Sequence, residues 1–104
     1  MDLHINQGAD YTVDIPVLDE QGRPRYLAGW SVKAAIRHSP GTPTIHEPAA
    51  VIRPGLVRLT IPGTVSASWA WRRSSYQVEL RGPKGERERL AAGRVIVDPT
   101  LIED

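Results

Sequence analysis

The clearest regularity in the chain is an alternation of apolar and polar residues with a period of two, interrupted by turns rich in Gly and Pro. In "YTVDIPVLD", Tyr11, Val13, Ile15 and Val17 fall on one face and Thr12, Asp14 and Pro16 on the other. That is the pattern of a strand with one side on a core. Pro16 has no N–H to give a neighbour, which predicts a sheet edge. "WSVKAAIRH" repeats the pattern, with Trp30, Val32, Ala34 and Ile36 facing inward and Ser31, Lys33, Ala35 and Arg37 outward. Trp30 and Ile36 are therefore expected in the core.

Gly22 and Pro24 mark a turn between these two segments. After the turn "SPGTPT", Ile45 to Ile52 reads as one strand broken by Pro48, and "GLVRLTIPG" as a core strand carrying Val57, Leu59 and Ile61. Near the C-terminus, Tyr76, Val78 and Leu80 alternate up to a loop at Gly82, Pro83 and Gly85, and Leu90, Val95 and Val97 return. The odd spacing from Leu90 to Val95 predicts a register shift with Gly93 as the bulge residue. Only "TVSASWAWRR" permits a short helical turn, near 64–72, with Thr64 or Ser66 available to cap it. Six to eight short strands and no second helical pattern predict one all-β domain over 1–104, an antiparallel β-sandwich or small barrel.

The chain has 104 residues, room for a single thin core. Thirteen basic residues against twelve acidic ones give a formal net charge of +1. Phosphate-backbone binding ordinarily requires a marked basic excess, so no nucleic-acid partner is expected. Lys33 and Lys84 are the only lysines, which leaves eleven arginines among the thirteen bases. There is no Cys, which excludes disulfides and thiolate metal sites. No apolar run approaches the ~20 residues of a membrane span, and "MDLHINQG" has neither the basic nor the apolar region of a signal peptide. A chain soluble as made, with no membrane partner, is expected.

No catalytic constellation assembles. His4, His38 and His46 have no short-spaced His or Cys partner and read as solvated surface residues. Asp10 and Asp14 read as outward charges, no Ser lies in a nucleophile elbow, and "GPKGE" is a hairpin loop between strands rather than a phosphate cradle. The expectation is a protein that is not an enzyme and has no cofactor and no metal. Interaction residues are the remaining candidates. Trp69 and Trp71 in "WAWRR" cannot both face one core from a single helical turn, so one of them should be partly exposed or covered by a partner. Arg72 and Arg73 follow directly, and Arg87 and Arg89 alternate with acids in "KGERERL". Trp and Arg are enriched where protein interfaces concentrate their energy, so Trp69, Trp71, Arg72, Arg73, Arg87 and Arg89 form the candidate interface set.

The stretches "INQGADYTVDIPVLDEQGRPRYLAGWSVKAAIR" and "YQVELRGPKGERERLAAGRVIV" together resemble a family of small bacteriophage virion proteins. These are the β-sandwich components of tail fibres, baseplates and heads. Gly8, Asp19, Gly22, Pro24, Gly29, Arg37, Tyr76, Gly85 and Gly93 fall on the family's recurrent positions, all structural. The chain departs from the pattern at "WAWRRSSY", where Arg73 and Ser74 stand in place of a Leu and a Gly. The resemblance implies an immunoglobulin-like sandwich and a virion building block, made in the host cytoplasm. It would be a tail, baseplate or fibre-associated component, or alternatively a capsid decoration or head-fibre protein. Its expected partners are other virion proteins and copies of itself in a trimer or larger ring. A carbohydrate-binding module using Trp69 or Trp71 with Tyr26 is the competing class.

Overall fold

Leu3, Ile5, Val95 and Val97 are almost wholly buried because β1 (Leu3–Asn6) lies parallel to β7 (Arg87–Asp98), with Leu3 opposite Val95 and Ile5 opposite Val97. β7 runs antiparallel to β6 (Arg73–Arg81), and β6 antiparallel to β3 (Ser31–Arg37). The first sheet thus has the order β1-β7-β6-β3. In the second, β5 (Leu56–Ile61) is central, between β2 (Tyr11–Pro16) and β4 (Ala49–Arg53). The computed structural model describes residues 1–102. The arrangement is an immunoglobulin-like β-sandwich. Ile36, Val78, Leu80 and Val95 from one sheet meet Ile15, Val57, Leu59 and Ile61 from the other. Each of these side chains contributes about 1.5–3 kcal/mol when fully buried.

The period-two pattern reads directly into this core. Ala34 and Ile36 are buried on β3, Val57, Leu59 and Ile61 on β5, and Tyr76, Val78 and Leu80 on β6. β2 is an edge strand, as Pro16 predicts. The segment expected as one broken strand divides between the sheets. Ile45 and His46 hydrogen-bond to Ile36 of β3, whereas β4, beginning at Ala49, pairs with β5. Pro48 stands where the chain crosses.

Two expectations need correction. Trp30, expected in the core, is only half-buried. It precedes β3 at the margin of the sheet, where the guanidinium of Arg25 lies 5.2 Å from its ring centroid. The register shift is present but is not at Gly93. Val78 pairs with Ala91 and Glu79 with Arg89, so Leu90 is the extra residue, and Gly93 pairs regularly with Tyr76. Glycine is needed there for another reason: a Cβ would overlap the carbonyl oxygen of Met1. The Tyr76 hydroxyl donates a 2.5 Å hydrogen bond to that same oxygen, so the N-terminus is strapped across β6 and β7.

Candidate functional site

The helical turn α1 (Gly63–Ser66) is only four residues long, too short to be stable on its own. It starts after Pro62 with no side-chain cap. Neither Thr64 nor Ser66 caps it. The buried Ser66 hydroxyl instead accepts a 3.0 Å hydrogen bond from the Gly8 amide, and Asp10 accepts one of 2.7 Å from the Gly63 amide. The Gln7 side-chain amide donates to the carbonyls of Ala67 (3.2 Å) and Trp69 (2.9 Å). The turn from Gln7 to Asp10 therefore fixes where the chain leaves α1 and where Trp69 enters the core.

α1 ends before the tryptophans, so both lie outside any helix, and the premise that they share a helical turn does not hold. Their rings stack at 4.8 Å between centroids, with planes 29° apart. Trp69 is 7% exposed and belongs to the core, while Trp71 is half-buried on top of it. His38 sets its ring edge-on to Trp71 at 5.7 Å, and His46 meets Trp69 at 6.1 Å. These spacings suit aromatic contact. An aromatic cluster of two Trp and two His thus caps one end of the sandwich.

Of the six candidate interface residues, Trp71, Arg72 and Arg73 come together at this end, with both arginines exposed. Trp69 supports them from below. Arg87 and Arg89 are elsewhere. Arg73 lies eight positions along β6 from Arg81, which pairs with Arg87, a distance of roughly 26 Å at strand rise. Arg87 is also engaged within the chain. It bonds Glu79 at 2.5 Å, and Arg81 adds a second contact at 3.1 Å. The hydrogen bond from Arg87 is the main influence holding the Glu79 carboxyl below its ordinary range.

Of the three histidines expected at the surface, His4 and His38 are exposed and His46 is the one misjudged. His38 is exposed but packs on Trp71, and His46 is half-buried, its Nε2 enclosed with no hydrogen-bond partner. Their positions flanking the "SPGTPT" turn carry no apolar periodicity that would have signalled this. Burial pushes the His46 imidazole below its ordinary value of 6.5, with Glu47 acting in the opposite direction. The neutral ring is therefore the folded form. Its contribution to stability is fully present above about pH 6.5 and is lost as the pH falls from there through the depressed folded value. The urea midpoint should drop between about pH 7.5 and about pH 5.5, and His46→Phe should flatten that drop. An equal drop in both proteins would reject it. Asp14 and Glu79, both held below their ordinary carboxylate values, lose their contributions only in more acidic solution.

A groove of about 430 Å³ runs over the outer face of β3 and β6, between Lys33, Arg37, Gln77 and Arg81. Among the described residues no group of three or more His, Asp or Glu is placed to hold a metal ion. No helix among them is long and apolar enough to cross a membrane.

No protein-family model matches the chain, and no curated protein matches it. Among solved structures it is similar to the filamin domain of Lin-41, at 14% sequence identity and a TM-score of 0.49, over 91% of this chain and 82% of that one. A likeness at that level carries no argument about function.

Proposed function

We propose that the chain is a structural protein of a bacteriophage virion, a tail, baseplate or fibre-associated component that works by protein–protein assembly. The alternative position within the particle is capsid decoration or a head fibre. One observation supports an assembly role: Trp71 is partly exposed on a rigid base formed by core Trp69, beside the exposed side chains of Arg72, which donates to the Ala70 carbonyl at 3.3 Å, and Arg73. A preorganised aromatic flanked by Arg is the composition of an interface anchor. The sugar-binding reading is less well served. One face of Trp71 lies against Trp69, and Tyr26 adjoins Arg25, whose partner Glu88 is at the far end of the β6–β7 hairpin. No row of free rings results.

Trp71→Ala should weaken assembly by about 2 kcal/mol, roughly thirtyfold, while the isolated domain stays folded. Sedimentation velocity on the folded variant tests this, and unchanged association would reject the Trp71 contact. Absence of the chain from purified phage particles would reject the virion role itself.

A further inference from the structure

An edge strand exposes unpaired N–H and C=O groups, and proteins usually guard such edges. Three of the four edges here are guarded. β1 is four residues long. β2 carries Pro16, which has no N–H, and the charged Asp14. β3 has its Ile36 groups bonded to Ile45 and His46, and Lys33 stands on its outer face.

β4, which lies near β3, carries no such device among its own residues. Its sequence is Ala49-Ala50-Val51-Ile52-Arg53, with no Pro and no charge before Arg53. The two-residue turn Pro54–Gly55 joins Arg53 to Leu56. That closing pair of a two-residue hairpin is hydrogen-bonded, and bonding alternates along the ladder. Arg53, Val51 and Ala49 therefore bond to β5, and the backbone groups of Ala50 and Ile52 point to the open side. Among the described residues nothing bonds them. The outer face carries exposed Ala49 and Val51, the latter 42% exposed.

We infer that β4 pairs antiparallel with β4 of a second copy about a two-fold axis through Val51, joining two three-stranded sheets into one of six strands. The register is self-complementary. Ala50 meets the second copy's Ile52, each such pair exchanging both of its backbone hydrogen bonds. Val51 faces the second copy's Val51 on an apolar stripe, and Arg53 faces the second copy's Ala49. The two Arg53 lie four residues apart along the pair, roughly 13 Å, beyond a Debye length of roughly 8–10 Å. The same operation on β3 would set Lys33 against Lys33, which opposes pairing. This contact is independent of the Trp71 end and of the virion reading.

The absence of Cys from the chain makes cross-linking a clean test. In the inferred register the two Val51 form a non-hydrogen-bonded pair with Cα atoms about 4.5 Å apart, within disulfide reach. Val51→Cys should form a covalent dimer under mild oxidation. Arg53→Cys alone should not, but should cross-link when mixed with Ala49→Cys. In sedimentation, Val51→Lys and Ala50→Pro should each raise the dimer dissociation constant at least about tenfold. Ala50→Pro removes an N–H that faces the open edge and none of those bonded to β5. If Val51→Cys cross-links no faster than Thr12→Cys on the β2 edge, the inference is overturned. Trp71→Ala should leave the Val51→Cys cross-link intact. Association lost with Trp71→Ala but insensitive to both β4 variants would overturn the β4 pairing and favour the Trp71 contact.

Discussion

Trp69→Ala is expected to destabilise the domain by about 3–5 kcal/mol, a large part of the roughly 5–15 kcal/mol available to a chain of this size. Trp69 is 7% exposed, its ring supports Trp71 and meets His46, and its carbonyl receives the Gln7 amide at 2.9 Å. Truncation opens a cavity under the aromatic cluster and leaves Trp71 without its platform. The surroundings have little freedom to collapse, because Ser66, Gln7 and Asp10 fix the neighbouring backbone. Urea unfolding of Trp69→Ala and Trp71→Ala side by side measures the contrast: the core tryptophan should cost several times more than the half-exposed one. A loss below about 1 kcal/mol for Trp69→Ala would contradict its place in the core. In this pair, position two residues apart decides role. Trp69 holds the fold, and Trp71 remains available for a partner.

How much of this could be read in the sequence depended on how far apart the interacting residues lie. Alternation within a strand is local, so the inward sets on β2, β3, β5 and β6 were legible, as was the edge position implied by Pro16. Which strands share a sheet is set by distant pairing. Nothing local indicated that the two sides of Pro48 join different sheets, or that the short alternation Leu3-His4-Ile5-Asn6 docks parallel to β7. Gly93 was recognised as constrained for the wrong reason, since the group it accommodates is the carbonyl of Met1. The division of the Trp pair into one buried and one partly exposed ring holds, but not for the helical reason, because α1 stops at Ser66 and the extension to residue 72 does not form. His46 was read as solvated because its burial is imposed by Trp69 and the crossing chain, neither of which is near it in sequence.

The second large effect concerns Gly63, where glycine is required by close approach of two backbones. A Cβ at Gly63 would overlap the carbonyl oxygen of Gly8 and press on the carbonyl carbons of Gly8 and Ala9. These are main-chain atoms that cannot rotate aside. Relief requires moving the Gln7–Asp10 turn away from α1, which breaks the Asp10 bond to the Gly63 amide and the Ser66 bond to Gly8. It also loosens the Gln7 hold on Trp69. Overpacking alone costs about 1–3 kcal/mol, and each of the two lost hydrogen bonds adds about 1 kcal/mol, so Gly63→Ala is expected to cost about 3–5 kcal/mol. Gly82→Ala is the matched comparison. There a Cβ meets only the carboxylate end of Glu86, which lies in an exposed loop and can swing clear at the loss of one solvent-exposed hydrogen bond from the Lys84 amide. Its cost should stay near the ~0.5 kcal/mol typical of surface substitutions. Parallel thermal melts should therefore separate the two alanine variants by at least roughly 10 °C, at about 4–8 °C per kcal/mol for a domain of this length. Equal melting points would mean that the turn gives way without cost, and that the packing of the N-terminal turn against α1 does not position the Trp69–Trp71 cluster.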